Sequence, residues 1–304
     1  MRGKWMIAWG MLAAAGAGCG SGRGPVVPVT VGAPVKVARC VLKLPDARGA
    51  RVARNRLERD ISRYMSQRPG RIVYGALDLV TGVSFGQGEH DRDMITASGA
   101  KVDIVAALLH SRAGELNEEE RELAERMIKE SDNKAADAMW SRVGGTDVMT
   151  GFYDRIGLRE TTPGPGTYWG GTLTSPADRI RLLQVLVRGG GELSSTDRRL
   201  VLRLMEQVQP DQAWGVSAAA RPGDRVALKN GWTPRPFIRE TWAVTSYGRV
   251  VGPGRDLLLA VQTDEQPGEE VGIETVEGIA RTIGARLDAL SPTTTRPCPT
   301  NPIA

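Results

Sequence analysis

Histidine is scarce in this chain of 304 residues, which contains only His90 and His110. Neither histidine nor any cysteine stands at a spacing typical of metal ligands, so no metal site is predicted. A hydrolase of the Ser-His-Asp type would have to take its base from these two residues. His90 falls in a polar loop and His110 on a predicted helix, and both are interpreted as ordinary surface or partly buried side chains. A serine enzyme built from this chain is therefore expected to use lysine as its base.

Aromatic residues make up only 5% of the chain, and they do not interleave with a basic stripe. The 40 Lys and Arg exceed the 35 Asp and Glu by a small margin that is scattered along the sequence. Binding to nucleic acid is therefore not expected. An apolar content of 41% and a charged content of 25% are ordinary for a soluble globular protein, here expected to be a monomer without an organic cofactor.

No apolar run is long enough to span a bilayer, but the N-terminus has the pattern of an export signal. Arg2 and Lys4 precede a small-residue-rich apolar stretch, and residues 1–18 are interpreted as a signal peptide. The segment that ends at Cys19 resembles a bacterial lipobox, with Gly16 where that pattern prefers Leu. Lipid attachment at Cys19, anchoring the protein to the outer face of the cell membrane, is therefore predicted. Ordinary cleavage that leaves a secreted protein is the alternative.

The two ends of the mature chain are expected to lie outside the folded domain. Residues 19–45 are interpreted as lipid anchor and flexible spacer, and residues 291–304 as a disordered tail, because both are rich in Pro, Gly or Thr. One domain is predicted over residues 46–290. Outside the cytoplasm, Cys40 and Cys298 could form a disulfide that ties the two ends together. Two free or unrelated thiols are the other interpretation.

Hydrophobic periodicity predicts strands at both ends of this domain and helices between them. The predicted strands are residues 72–79, 83–85, 225–230, 241–250 and 256–263. The predicted helices are residues 51–68, one that begins at Ser98, one capped by Asn117 with Glu120, and residues 134–143, 147–156, 176–187, 196–207 and 269–290. Strands so distant in sequence imply an α+β fold, in which one antiparallel sheet is flanked by helices and an all-helical lobe is inserted. The chemistry is expected at the seam between sheet and lobe.

Ser98 and Lys101 are three residues apart at the predicted start of a helix. Residues at this spacing share one helix face, so the amine can meet the hydroxyl. A lysine screened from water and close to other cations has a lowered pKa and can accept the hydroxyl proton. Alone, this S-x-x-K pattern is weak, because a helix-capping serine beside a solvated lysine produces it too.

Two further motifs strengthen the interpretation. Residues 131–133 read Ser-Asp-Asn between two predicted helices, where a polar loop can point a hydroxyl and an amide into a cleft. Residues 229–231 read Lys-Asn-Gly after an apolar strand, and the glycine permits close approach to the strand edge. With S-x-x-K, they resemble the S-x-x-K, S-D-N and K-T-G motifs of the serine β-lactamase and penicillin-binding protein superfamily, nearest to the class A β-lactamases. The resemblance covers roughly residues 50–290.

The resemblance implies a role for each motif residue. Ser98 would attack the carbonyl of a β-lactam or a D-Ala-D-Ala-like peptide and form an acyl-enzyme, with Lys101 acting as base or positioning one. Ser131 would relay a proton to the leaving nitrogen, while Asp132 would fix the loop by hydrogen bonds. Asn133 would bind the amide of the substrate side chain.

The third motif is implied to hold the other side of the substrate. Lys229 and Asn230 would bind the substrate carboxylate at the strand edge that Gly231 leaves open. The backbone N–H groups of Ser98 and Trp232 would form the oxyanion hole. Asn230 stands where the family has Thr or Ser, and its amide is expected to donate a hydrogen bond in their place.

The loop between Gly157 and Thr174 departs further from the class A pattern. Class A β-lactamases carry a glutamate there, in the context E-x-x-L-N, and it activates the deacylating water. Glu160 is the only acid in this loop, and its neighbours differ. Glu160 is a candidate for that base, but a solvated surface acid is the favoured interpretation.

Three hypotheses follow for the function. The first is a serine hydrolase of the class A β-lactamase type, which would open β-lactams and so confer antibiotic resistance, or cleave a related cell-wall amide. The second is a penicillin-binding D,D-peptidase-like protein with slow deacylation. The third is a non-catalytic lipoprotein that binds peptidoglycan or a partner.

Overall fold

The computed structural model describes three stretches of the chain, residues 41–190, 193–291 and 293–298. Leu42–Arg296 form one compact unit. Nine strands lie in the described stretches: β1 (Val41–Pro45), β2 (Arg71–Asp78), β3 (Ser84–Gln87), β4 (Met94–Ile95), β5 (Leu173–Thr174), β6 (Arg225–Arg235), β7 (Thr241–Gly252), β8 (Arg255–Gln266) and β9 (Thr293–Pro297).

Eight α-helices lie in the same stretches: α1 (Ala47–Met65), α2 (Ala100–Ser111), α3 (Glu118–Lys129), α4 (Asn133–Val143), α5 (Gly145–Ile156), α6 (Pro176–Arg188), α7 (Ser195–Glu206) and α8 (Glu269–Arg286). The last predicted helix ends earlier than expected, since Leu287–Leu290 form a separate 3₁₀ turn. None of the helices in the described ranges is both long and apolar enough to cross a membrane.

A five-stranded antiparallel sheet joins the two ends of the domain. Its spatial order is β3-β2-β8-β7-β6, so the N-terminal hairpin pairs with a strand from the C-terminal third. Helices α2 to α7 come between these segments in the sequence. The predicted α+β fold, with one antiparallel sheet and an inserted helical lobe, is confirmed.

Both faces of the sheet are buried. Along β8, successive side chains alternate between two hydrophobic cores, one on each face. Leu258 and Ala260 belong to the core that the helical lobe shares with the sheet. Leu257, Leu259 and Val261 belong to a second core, which includes side chains of α1 and α8. Because successive side chains of a strand point to opposite faces, one strand supplies both cores.

Helix α2 is the centre of the inserted lobe. Its residues from Ala100 to Leu109 are all buried, so it is enclosed on every side rather than amphipathic. The predicted start at Ser98 is early by two residues, because Ala97–Gly99 form a 3₁₀ turn before the α-helix. This turn places Ser98 at the entrance of the lobe.

The cap predicted for the next helix, α3, is confirmed. The Asn117 side chain accepts a hydrogen bond from the Glu120 backbone N–H at 2.8 Å, and the Glu120 carboxylate accepts one from the Asn117 N–H at 3.0 Å. This reciprocal capping box satisfies two N–H groups that the helix itself leaves without partners.

The disordered tail predicted for residues 291–304 is wrong for Thr293–Pro297. These residues form β9, which pairs with β1, itself part of the predicted flexible spacer. Proline and threonine content suggested disorder, but β-branched threonines also favour extended strands when a partner strand is available. The pairing joins segments far apart in sequence, and composition carries no information about it.

The predicted signal peptide, Cys19 and Cys40 lie outside the described residues. Cys298 forms a disulfide bond, which excludes a free thiol at that position. Its pairing with Cys40 stays a prediction.

A fully buried ion pair joins α2 to α6 beneath the turn that carries Ser98. The Arg179 guanidinium donates to both carboxylate oxygens of Asp103, at 2.7 and 2.9 Å, and neither side chain is exposed. Tyr153 donates its hydroxyl to Asp103 at 2.9 Å. Tyr247 on β7 lies under the guanidinium and donates its hydroxyl to the Gly99 carbonyl at 2.8 Å. The network therefore connects sheet, lobe and turn.

We expect Arg179→Met to lower the free energy of unfolding by about 3–5 kcal/mol, because it leaves the Asp103 carboxylate buried without its cation. Urea denaturation measures the loss. The control is Arg159→Gln, whose ion pair with Asp154 leaves the two side chains 73% and 65% exposed. That variant is expected to lose less than about 1 kcal/mol. Equal losses in both variants would contradict the structural role of the buried pair.

Candidate active site

Ser98 lies on a constrained turn between β4 and α2. Its neighbour Ala97 has φ of 44°, in the left-handed region that non-glycine residues rarely adopt. Backbone strain of this kind persists only where the surroundings impose it, and it is concentrated at functional sites. A Cβ atom on Gly231 would lie 2.2 Å from the Thr96 carbonyl oxygen and 2.9 Å from the Ser98 nitrogen. Only glycine lets strand β6 come this close to the turn.

Lys101 lies fully buried beside Ser98, as the spacing predicts. Its Nζ donates to Ser98 Oγ at 2.9 Å, to Ser131 Oγ at 3.0 Å and to Asn133 Oδ1 at 2.7 Å. Burial lowers the pKa of Lys101 to about 7, against the opposing charges of Asp132 and Asp137. Near neutral pH, an appreciable fraction of Lys101 is therefore neutral and able to accept a proton.

Ser131 joins the two lysines of the site. Its Oγ accepts hydrogen bonds from Lys101 Nζ and from Lys229 Nζ, each at 3.0 Å. Its φ of 58° is again in the left-handed region, which turns the hydroxyl inward. Asp132 caps α4 by accepting from the Ala135 N–H at 3.0 Å, and this bond lowers its pKa. Asp132 thus fixes the loop, in agreement with the sequence analysis.

Lys229 is fully buried on β6 and has no carboxylate partner among the described residues. Its Nζ donates to Ser131 Oγ and to the backbone carbonyl of Asn230. Burial first, and then repulsion from Lys101, holds the pKa of Lys229 well below its ordinary value. A buried lysine without a paired acid favours an anionic group beside it.

The expectation that the Asn230 amide reaches a substrate carboxylate is wrong. Both of its hydrogens are already donated, to the carbonyls of Gln212 at 2.8 Å and Trp214 at 3.1 Å. Adjacent residues on a strand face opposite sides. Lys229 points toward Ser131, and Asn230 therefore points away from it, into the loop before β6. Its side chain holds that loop in place.

Glu160 is not among the residues that line the cleft of Ser98, which argues against the role of deacylating base. Its carboxylate contacts His90 Nδ1 at 3.0 Å and accepts a hydrogen bond from Ser175 Oγ at 2.5 Å. The side chain is 18% exposed, so it is not the solvated surface acid that the sequence suggests either. Glu160 and His90 form a pair outside the cleft of Ser98.

The cleft at Ser98 is a cavity of about 320 Å³. Ser98, Asn133 and Trp232, the residue directly after the third motif, line it. Together with the hydrogen bond from Lys229 to Ser131, this brings the three motifs of the sequence to one site. The other lining residues are Ala97, Asp137, Thr167, Tyr168, Trp169, Gly170 and Thr233.

Asp137 is the acid that lines the cleft, and the sequence analysis missed it. Its Oδ1 accepts a hydrogen bond from the Trp169 indole N–H at 2.7 Å. The Trp169 ring in turn lies 4.9 Å from Lys101 Nζ. The signal was available, because Asp137 follows Asn133 by four residues and lies on the helix predicted directly after it, which places the two on the same side.

We expect Lys101 to titrate with a pKa of about 7 in NMR spectra of ¹³C-labelled lysine, because burial disfavours its charged form. A Lys101→Met variant identifies the resonance. Asp137→Asn should lower the pKa further, since it removes a negative charge that stabilises the ammonium. A value near the ordinary lysine value of about 10.4 would contradict the burial argument.

Among curated proteins, two mycobacterial relatives are similar to this chain. Proteins named "Putative lipoprotein LppW" in Mycobacterium bovis and Mycobacterium tuberculosis are each 29% identical to it over 216 residues. Each alignment covers 68% of this chain and 67% of the relative.

Solved structures of β-lactamases and a penicillin-binding protein have the same fold. A class A β-lactamase from Mycobacterium abscessus is 21% identical, with a TM-score of 0.66 over 76% of this chain and 99% of the other. A β-lactamase from Xanthomonas campestris is 18% identical, with a TM-score of 0.67 over 77% and 98%. The protein PBP-A is 22% identical, with a TM-score of 0.65 over 77% and 96%.

The structural similarities show the fold, and a sequence model of a protein family shows the family. The model described as "Beta-lactamase enzyme family" matches residues 115–287, which is more than half of the chain. The match includes the Ser-Asp-Asn and Lys-Asn-Gly motifs, and the turn with Ser98 lies before it. The protein belongs to the β-lactamase enzyme family.

Proposed function

We propose that this protein is a serine hydrolase of the class A β-lactamase type, which forms an acyl-enzyme at Ser98 with β-lactams or related cell-wall amides. The observation that carries the proposal is the position of Lys101 Nζ, which is 2.9 Å from Ser98 Oγ and 3.0 Å from Ser131 Oγ. One buried amine thus contacts both the nucleophile and a hydroxyl that can pass a proton onward.

Acylation begins with proton transfer from Ser98 Oγ to neutral Lys101. The oxygen attacks the amide carbonyl, and backbone N–H groups of Ser98 and Trp232 stabilise the developing oxyanion. The C–N bond then breaks, and the leaving nitrogen receives a proton through Ser131 Oγ. The proton returns to the Ser131 hydroxyl from Lys101, which closes the cycle of proton transfers.

Substrate binding uses the charges and amides that remain available. Lys229 attracts the substrate carboxylate, because no acid of the described residues neutralises it. Asn133 accepts a hydrogen bond from Lys101 through Oδ1, which leaves its NH₂ group to donate to the carbonyl of the acyl side chain. Both contacts orient the amide for attack by Ser98.

A penicillin-binding protein with slow deacylation is the second candidate. The orientation of Glu160 favours it, because a class A enzyme would have its water-activating glutamate in this loop. Loss of a positioned base slows such a step by a factor on the order of 10² to 10⁴. The fold of PBP-A, with a TM-score of 0.65, is equally compatible with this activity.

We also propose that the protein is exported and lipid-anchored through Cys19. The lipobox-like N-terminus supports this location, as does the similarity to proteins named as lipoproteins. A cell-wall amide is a substrate that an enzyme outside the membrane can reach.

Incubation with benzylpenicillin should add the mass of the drug to Ser98 in the intact protein. The acylation rate should rise with pH through about 7, because Lys101 becomes able to accept a proton as it loses its own. Ser98→Ala should form no adduct, and Lys101→Ala should acylate slower by on the order of 10² or more. Intact-protein mass spectrometry measures all three. An unmodified wild-type protein would leave only the non-catalytic binding role.

We expect Glu160→Gln to deacylate at a rate within about twofold of the wild type, since its carboxylate is bound to His90 and Ser175 outside the cleft. The decay of the acyl-enzyme gives this rate. A chromogenic cephalosporin separates the two candidates: continuous turnover supports the β-lactamase, and a stoichiometric burst supports the slow penicillin-binding protein. A deacylation rate that is 10²-fold or more lower in Glu160→Gln than in the wild type would show that Glu160 is the base after all.

A further inference from the structure

Among the described residues, one carboxylate lines the cleft at Ser98, together with aromatic side chains. Asp137 is exposed on α4, and Tyr168, Trp169 and Trp232 line the same cavity. Tyr168 is 56% exposed, which is high for a large aromatic side chain, and it therefore presents much of its ring to solvent and to a ligand. The proposed acylation chemistry does not use Asp137 or Tyr168.

The charge of Asp137 is available to a ligand. Within the described stretches, its one hydrogen-bond partner is the neutral indole N–H of Trp169, at 2.7 Å from Oδ1. Among the described residues, no lysine or arginine forms an ion pair with it. The charge of Asp137 raises the pKa of Lys101. The hydrogen bonds of Lys101 nevertheless go to Ser98 and Ser131, not to Asp137. An exposed carboxylate thus lies at the edge of the cavity without a paired cation.

The position of Asp137 relates it to a defined part of the substrate. It follows Asn133 by one helical turn, so the Cβ atoms of the two residues are about 5–6 Å apart. Asn133 is the residue proposed to bind the carbonyl of the acyl side chain. A group attached next to that carbonyl therefore lies within reach of Asp137.

A carboxylate with aromatic faces is the usual environment for a bound cation. Ring faces attract ammonium groups through their quadrupole, and a carboxylate accepts charge-assisted hydrogen bonds from them. We propose that Asp137, with the rings of Tyr168 and Trp232, binds an ammonium group on the acyl side chain of the substrate. The preferred substrates are then amides that carry a primary amine close to the carbonyl bound by Asn133. The inference rests on the proposed function of Ser98.

Benzylpenicillin and ampicillin test the proposal, because they differ by one amino group on the carbon next to the side-chain carbonyl. The measured quantity is the second-order rate constant for acylation of Ser98 in the full mature chain. The assay runs about one unit below the α-amino pKa of about 7.7–8.0, where the amine is protonated. The rate constant for ampicillin is divided by the rate constant for benzylpenicillin. This ratio cancels any change in the reactivity of Ser98 that affects both drugs equally.

We expect this ratio to fall about tenfold in Asp137→Asn, with the benzylpenicillin constant changed by less than about threefold. Tyr168→Leu should lower the ratio as well, whereas Tyr168→Phe keeps the ring and should preserve it. The matched control is Glu122→Gln, which removes an exposed carboxylate on α3 away from the cleft. It should leave the ratio unchanged.

The outcomes separate this inference from the function on which it rests. If neither penicillin acylates Ser98, the proposed function itself is wrong. If both acylate and the ratio is the same in wild type and Asp137→Asn, the ammonium site is overturned while the serine hydrolase stands. If Asp137→Asn slows deacylation of both drugs equally and spares the acylation ratio, Asp137 is a base for the water and not a cation site.

Discussion

Two lysine side chains share one serine hydroxyl, and the rest of the site depends on that arrangement. Lys101 and Lys229 both donate to Ser131 Oγ at 3.0 Å, and each is fully buried. Placing two cationic groups together without water is costly unless one gives up its proton. The arrangement therefore supplies a neutral amine near neutral pH without a histidine. It also leaves Lys229 without a carboxylate partner among the described residues, and a carboxylate on a substrate would supply that counter-charge.

Holding two such groups in place requires rigid supports on both sides. Lys101 lies on α2, which is buried on all sides, and Lys229 lies on β6, the edge strand of the sheet, which pairs with β7 along its whole length. Asp103 and Arg179 tie α2 to α6, while Tyr247 connects the same network to the turn of Ser98. Such surroundings can impose the left-handed backbone of Ala97 and Ser131, which isolated chains would avoid.

Much of this could be predicted from the sequence, and the failures have physical reasons. The three motifs are local patterns, and their convergence follows once strands from both ends form one sheet. The surroundings of Asn230 and Glu160 could not be predicted, because each depends on which way a side chain points relative to a distant loop. The pairing of β9 depends on another segment far away in sequence, which composition does not encode. Asp137 was accessible, since helical spacing from Asn133 places it on the face of a known motif residue. Its contact with the Trp169 indole and its place on the cavity wall depend on a loop 32 residues further along the chain, which helical spacing does not predict.

Because Gly231 contacts the turn of Ser98, the neighbouring positions 230 and 231 differ in the substitutions that they tolerate. A different polar side chain at Asn230 would disturb a loop on the far side of β6 and leave the nucleophile where it is. Any side chain at Gly231 would instead press on the Thr96 carbonyl, only 2.2 Å from its first carbon, and displace the serine from its lysine. A different residue at the middle position of the third motif, Asn230, is therefore compatible with an intact reaction centre. At the last position, Gly231, no other residue is tolerated.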